Sequence, residues 1–552
     1  MEKRKKIFIG AAWPYANGSL HLGHVSSLIG GDILARYFRL KGDDVLCVSG
    51  SDSHGTPVVL KAEAEKTSPE QVAKKYHEEL KTTFLGGLNF SYDIYTDTTT
   101  KTHEETVQEI FLALYKKGYL YPKSQPLPYC PKDKRFLPDR YVEGECPKCH
   151  FQNARGDQCD NCGNLLDPEQ LVNPRCKICS TRPEWQETEH FFLKLTAFSE
   201  KLKKWVAASQ GWRTNALNFT TKFIENGLQD RAVTRDIEWG VPIPIKGYEN
   251  KKIYVWFDAV CGYLSASREF AKLSKNEDLW KDYWQDSDSV HYYVHGKDNI
   301  LFHTIIWPAI LMGSGNLHLP DRIVSSEYFT LEKKQFSTSR NWAVWLPEFL
   351  KNFEADTLRY YLVANGPETS DADFAWDEYL ERTNKELIGN FGNFVHRTFT
   401  LVEKFFPEGI VPPSKIDAGI LNHAREKFDL VGKLVEQAKF REGLREVFKL
   451  AEEGNRFIAE NEPWRKIKRD KAATAGDLWV LTTLINAIAI LAEPYLPISC
   501  EKILEKLKAG KPQWKFPEKK SYKISAPTPL FKQIQKETID SQKALLGKSQ
   551  TD

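Results

Sequence analysis

The sequence predicts an α/β protein: a Rossmann-like parallel sheet, interrupted by a zinc-binding insertion and followed by an α-helical bundle. Three observations carry that prediction. Strand and helix signals alternate over residues 1–118, the βαβ rhythm of a parallel sheet whose ligands lie beyond the carboxyl ends of its strands. Seven of the ten cysteines crowd between Cys130 and Cys179, six of them as three CxxC pairs. Beyond about residue 380, apolar residues recur at spacings of three and four, the mark of packed helices.

The elements follow in order. Residues 6–13 read as a buried strand, 14–19 as a turn, and 21–40 as an amphipathic helix closed by Gly42. A second strand, 44–49, runs into Gly50-Ser51-Asp52-Ser53-His54-Gly55. At the first strand-to-helix handover stands His21-Leu22-Gly23-His24, whose imidazoles, three positions apart, share a helix face. Free backbone N–H groups and the positive end of the helix dipole attract anions there, and two ring N–H donors add to them. The place suits a polyphosphate, and the expected chemistry is nucleotidyl transfer. No GxGxxG follows the first strand, which disfavours a dinucleotide.

From 119 to 225 the composition shifts to Pro, Cys, Asp and Asn, marking an insertion. Cys146-x2-Cys149 and Cys159-x2-Cys162, nine residues apart, provide four thiolates on two tight turns, a closed structural Zn²⁺ site. Cys176-x2-Cys179 offers half of a second site, and Cys130-x2-Asp133 supplies the rest if the segments meet. Cys47, Cys261 and Cys500 are isolated and read as small buried hydrophobes. Strands at 252–257 and 291–295 then complete the first sheet within residues 226–322, and 323–380 form a loop and linking segment. Helices are expected at 384–405, 422–438, 441–460 and 476–491 in a bundle spanning 381–515, with a short one at 530–545 in the Lys-rich tail, 516–552.

At 552 residues the chain is too long for one core and should hold three or four domains. Its 41% apolar and 27% charged residues are ordinary for a soluble protein. A formal charge of only +3 means that any nucleic-acid surface must come from local clusters such as 201–204 and 465–469. The basic start breaks at Pro14 without the shape of a secretory signal, and no run reaches the roughly 18 apolar residues of a span. Clustered cysteines then favour metal over disulfide, and a cytoplasmic location without a membrane partner is expected.

With its leader Pro14-Tyr15-Ala16-Asn17-Gly18, the segment 21–24 resembles the signature of class I aminoacyl-tRNA synthetases. Further blocks sharpen the likeness: Thr234-Arg235-Asp236 with Trp239-Gly240-Val241-Pro242, residues 254–263, Gly296-Lys297-Asp298 with Phe302-His303 and Trp307-Pro308, residues 336–340 and 384–397, and Glu462-Pro463-Trp464. Over nearly its full length the chain resembles the methionyl-tRNA synthetases. The resemblance implies activation of L-methionine by ATP and transfer to the 3′ end of tRNA(Met), initiator and elongator. His21, His24, Lys334, Thr338 and Arg340 would be catalytic. Tyr15, Gly23, Gly296, Lys297, Asp298, Ser337, Thr338 and Ser339 would bind ATP with Mg²⁺. Asp52 would take the α-amino group, with Trp13, Tyr15, Trp256, Ala259, Tyr263, His303 and Trp307 around the side chain. Asn393, Arg397 and Trp464 would read the anticodon.

Two departures from the family pattern stand out. Gln335-Phe336-Ser337-Thr338-Ser339 replaces the usual Lys-Met-Ser-Lys-Ser, so both loop lysines are missing, although Lys333, Lys334 and Arg340 flank it. This form also resembles a variant of archaeal-type members. Trp13 stands where the family usually has Leu. Two other readings remain open: a class I synthetase for another aliphatic or thiol amino acid, and a non-catalytic tRNA-binding relative. Without a β-rich appendix, a monomer is expected.

Overall fold

The computed structural model describes residues 4–137, 141–156, 159, 161–162, 166, 168–338, 340–412 and 419–548. Strands β1 (Lys6–Ala11), β2 (Asp44–Ser51), β3 (Ile94–Asp97), β4 (Val290–Gly296) and β5 (Arg322–Ser326) form one parallel sheet in the order β5-β4-β1-β2-β3. The central strands are nearly continuous apolar runs, as burial on both faces demands. The chain steps outward from β1 to β3, leaves, and returns at β4 on the other side of β1. The order therefore reverses between β1 and β4, and a crevice opens beyond their carboxyl ends.

Helix α1 (Leu22–Lys41) starts at that crevice. His21 is its N-cap, and Gly42 closes it at φ 94°, a left-handed conformation that glycine adopts without strain. The expected strand at 252–257 is a correction. Only Lys252–Ile253 is a strand, it pairs with Thr234–Arg235 rather than with the parallel sheet, and after the extended Tyr254 helix α2 (Val255–Leu273) begins. A short apolar run does not separate a buried strand from a buried helix, and α2 is buried on most of its faces.

The insertion hangs on a long antiparallel ribbon, Leu120–Cys130 against Glu184–Leu193. Pro122 and Pro126 turn their missing N–H groups to the strand's outer edge where no described strand pairs with it, and Pro128, at the same parity, only accepts there, from Leu137 N–H at 2.8 Å. At the end of the ribbon sits a small three-stranded sheet of Val142–Glu145, Ala154–Arg155 and Val172–Cys176.

Helices α3 (Asn393–Phe405), α4 (Gly419–Glu436), α5 (Phe440–Asn461), α6 (Lys471–Ala492) and α7 (Pro497–Leu507) form the bundle. Helix α6, which contains the helix expected at 476–491, is by length and composition long and apolar enough to cross a membrane, but 89% of its apolar window is buried in the protein. It is the bundle's central helix, and Thr482 and Thr483 return their hydroxyls to the Leu478 and Trp479 carbonyls. The sheet and the bundle share one hydrophobic core. Across it, Arg359 of helix Ala355–Asn365, with no exposed side-chain surface, donates to Asp32 of α1 at 2.6 Å and to the Pro494 and Tyr495 carbonyls at 3.0 and 2.9 Å.

Candidate functional site

A cavity of about 310 Å³ occupies the crevice, walled by Trp13, His21, Gly23, His24, Gly296 and Lys297 among others. The two imidazoles form a reciprocal cap. Gly23 N–H donates to His21 Nδ1 at 3.1 Å, and His21 N–H donates to His24 Nδ1 at 3.2 Å. An Nδ1 that accepts carries no proton, so each ring keeps its proton on Nε2. Burial and then the neighbouring His24 hold His21 well below the ordinary histidine range, and burial lowers His24 to about 4. Both rings are therefore neutral at pH 7. They are directional hydrogen-bond donors rather than point charges.

Lys297 is the one cation among the described residues of the cavity wall. Its Nζ lies 2.5 Å from Glu327 and 4.6 Å above the Tyr328 ring, and Tyr328 donates its hydroxyl to Asp298 at 2.9 Å. The loop cations are turned elsewhere. Lys334 rests 4.4 Å over Trp342, Arg340 donates to Ser337 Oγ at 3.0 Å, and neither they nor Ser337 and Thr338 reach the wall. Ser339 lies outside the described residues.

The residues assigned to an amino-acid side chain gather on α2 and beside β4. Trp256 and Ala259, one turn apart, are part-exposed positions on an otherwise buried stretch, and Tyr263 follows one turn later. His303 Nδ1 donates to the Asn299 carbonyl at 2.8 Å, and burial lowers this ring to about 4. Its Nε2 therefore accepts the Tyr263 hydroxyl at 2.7 Å. Trp307 sits deeper, fully buried, and donates Nε1 to the Tyr293 hydroxyl at 3.0 Å. The ring of Tyr15 packs against Gly55, where a Cβ would meet it at 2.3 Å. Trp13 finds its room against Gly50 and Gly262, whose hypothetical Cβ atoms would approach it to 2.8 and 2.9 Å.

Asp52 is buried where the loop after β2 passes Tyr15. Burial first, and Asp258 second, push its carboxyl up to about 8, against the pull of His54. Asp258 accepts from His54 at 2.7 Å and His103 at 2.6 Å, and these rings hold it low although burial opposes them. The three groups lie close enough to suggest a metal, but ligand atoms around a centre with bonds near 2.1 Å would stand about 3.3 Å apart. They form a hydrogen-bonded network. His54 and Asp258 lie in runs that the sequence singles out, 50–55 and 254–263, but the sequence gives neither a role, and it carries no signal at His103.

The cysteines assemble as two clusters. Cys146 and Cys162 Sγ are 3.9 Å apart, and Cys149 and Cys159 Sγ 3.5 Å. Thiolates on a tetrahedral Zn²⁺ at 2.3 Å stand about 3.8 Å apart, so this set fits. Cys130 and Cys179 Sγ approach to 3.4 Å, and Asp133 Oδ2 lies 3.3 Å from Cys130 and 3.0 Å from Cys176. The segments at 130–133 and 176–179 thus do meet, and all four donors lie within 4.8 Å of one another. On the bundle, Asn393 is exposed, and the Arg397 guanidinium lies 5.8 Å over the 38% exposed Trp464 ring, which follows the turn at Glu462, φ 39°. Together they make an aromatic platform with hydrogen-bonding edges.

Comparison with known proteins places this geometry. A family described as tRNA synthetases class I (M) matches residues 7–399, and one described as the anticodon binding domain of methionyl tRNA ligase matches 407–548. A methionine–tRNA ligase of Bacillus cereus strain B4264 is 46% identical over 537 residues, covering 97% of this chain and 98% of that protein. One from Bacillus anthracis strain CDC 684 is 45% identical with the same coverage. The crystal structure of Mycobacterium tuberculosis methionyl-tRNA synthetase bound by methionyl-adenylate shares the fold at a TM-score of 0.79, over 96% of this chain and 100% of that one, with 24% identity.

Proposed function

The chain belongs to the class I methionyl-tRNA synthetases and is an ATP-dependent methionine–tRNA ligase, and from that premise we propose how its residues divide the work. Methionine attacks the α-phosphate of ATP through its carboxylate, pyrophosphate leaves, and the aminoacyl group then passes from AMP to the terminal ribose of tRNA. Charge builds on phosphate oxygens in the first step, so the protein's task is positioning and charge stabilisation. His21 and His24 donate Nε2–H to the phosphates at the start of α1, and Gly23 lets them approach. Lys297 leaves Glu327 to meet phosphate, Asp298 holds ribose, and Gly296 and Tyr15 border the nucleotide. Lys334 and Arg340, freed from Trp342 and Ser337, steady the leaving pyrophosphate with Ser337, Thr338 and Ser339. The observation that carries this reading is the tautomer: both Nδ1 atoms are consumed by the helix backbone, so both Nε2–H donors are left for a ligand.

Asp52 takes the α-ammonium group, and Trp13, Trp256, Ala259, Tyr263, His303 and Trp307 enclose the side chain. The Tyr263–His303 pair gives the thioether a polar contact, which matters because one methylene in an apolar pocket yields only about 1–3 kcal/mol of discrimination. Mg²⁺ bound to the triphosphate would offset its charge. Cys146, Cys149, Cys159 and Cys162 would hold one structural Zn²⁺, and Cys130, Asp133, Cys176 and Cys179 a second, with Asp133 as the one oxygen ligand. Asn393, Arg397 and Trp464 read the splayed anticodon of initiator and elongator tRNA(Met). The enzyme works as a cytoplasmic monomer built of the six segments bounded at 118, 225, 322, 380 and 515. Pyrophosphate exchange into ATP, measured amino acid by amino acid, tests the assignment: methionine should support it far above leucine, cysteine and homocysteine. Exchange with none of them would leave a tRNA-binding protein.

A further inference from the structure

The signature loop lacks both lysines, and what it places against the phosphate site is an aromatic ring. Among the described residues of 333–341, Phe336 is the one that lines the cavity. Its ring stacks on His21 at 4.7 Å with an interplanar angle of 7°, and the His24 ring lies 3.9 Å from His21, tilted by 30°. A Cβ on Gly23 would meet Phe336 at 3.3 Å, so the ring rests on the helix start itself. The loop is fastened there by its backbone as well. Leu22 N–H donates to the Val344 carbonyl at 3.3 Å, Leu346 N–H to Leu20 at 2.9 Å, and Ser337 and Trp342 exchange N–H···O bonds at 3.0 and 2.9 Å.

A neutral imidazole stabilises charge only if its one free N–H points at the oxygen, so its ring plane matters as much as its presence. The cap anchors Nδ1 through a single hydrogen bond at 3.1 Å, and a parallel ring on one face adds a second restraint that resists tilting of the imidazole out of that plane. We propose that Phe336 is a positioning residue for adenylate formation: its stack holds the His21 ring in its donating orientation and ties the conformation of the loop to the phosphate site. An oriented donor here takes over part of what a loop lysine does by charge. This rests on the reading that His21 bonds the phosphates.

A double-mutant cycle between Phe336 and His21 tests it, read by single-turnover adenylate formation with radiolabelled ATP and by KM for each substrate. Phe336→Ala and Phe336→Leu should each lower kcat/KM for ATP about three- to tenfold, the range an aromatic stack contributes, with KM for methionine unchanged. Phe336→Tyr, which keeps a flat ring, should restore the rate, whereas leucine fills similar volume without a face. In a His21→Ala background, Phe336→Ala should cost nothing further. Full additivity of the two losses, or a leucine variant as fast as the native enzyme, overturns the proposal alone. A His21→Ala enzyme with native ATP kinetics overturns the phosphate assignment, and the proposal with it.

Discussion

A carboxylate proposed to receive an ammonium group would be expected to stand ionised, yet burial and a neighbouring acid favour the protonated form of Asp52. Burial and the neighbouring Asp258 raise its carboxyl to about 8 from an ordinary 3.8, while His54 and His103 keep Asp258 charged. Two acids so close share one burden, and the network gives the charge to Asp258. Below pH 8 the incoming ammonium must expel the Asp52 proton, so methionine affinity should rise with pH between 6 and 8, by up to about tenfold per unit. Calorimetry at pH 7 in two buffers of different ionisation enthalpy should show about one proton released per methionine bound; no release, with a KM flat from pH 6 to 8, would contradict this placement. The same scale explains Trp13. The larger ring fits because Gly50 and Gly262 leave the space a Cβ would take. Its Nε1 finds no partner there, a polar cost accepted at a wall of the cavity.

At the scale of elements, the insertion folds around thiolates rather than around a large apolar core. Its buried cluster is small, and four of its members are Cys130, Cys146, Cys159 and Cys176. Metal binding should therefore be folding free energy for this part alone. The purified enzyme should contain two zinc ions by atomic emission, and Cys146→Ala should lower that to one. Strong chelation should make the ribbon end protease-sensitive while methionine activation falls less than tRNA charging; two zinc ions in the Cys146→Ala protein would refute the ligand set. Which elements the sequence exposed follows from physics. The CxxC spacing and the helix start at His21 are local signals, carried by a few adjacent residues. The helical start of α2 was hidden, because Tyr254-Val255-Trp256-Phe257 is as apolar and aromatic as a buried strand. The pairing of Lys297 with Glu327 was hidden too, because partners thirty residues apart meet only when β4 and β5 lie side by side.

On the whole-molecule scale, the bundle is not a module on a tether. Arg359 reaches Asp32 on one side and the carbonyls of Pro494 and Tyr495 on the other, and Arg36 pairs with both Asp32 and Glu493. Burial would raise Asp32, but Arg359, Arg36 and Ser91 outweigh it and bring it to about 2. Its folded-state value lies below the unfolded 3.8, so its stabilisation is complete above about pH 4 and is lost as pH falls toward 2. Replacing Arg359 by Leu should strand charge and carbonyls and cost about 3–5 kcal/mol, read by urea unfolding at pH 7. At pH 2, where Asp32 is half protonated, the difference between variant and native should shrink. A loss under about 1 kcal/mol at pH 7 would show that the pair is merely tolerated. The alternation of strands and helices announces the parallel sheet, and apolar spacings of three and four announce the bundle, each separately. Neither carries a trace of this join, since a lone Arg inside a helical pattern reads as a solvent-facing residue.

That join also bears on inheritance. The 494–495 turn belongs to the bundle by sequence, yet its oxygens answer to a guanidinium on the other side of the core. A recombination that imported a foreign bundle without a turn of the same shape would leave the buried guanidinium with Asp32 and the Leu88 carbonyl but without two of its acceptors. A bundle exchanged between relatives should therefore be tolerated only together with a turn that offers Arg359 the same two carbonyls.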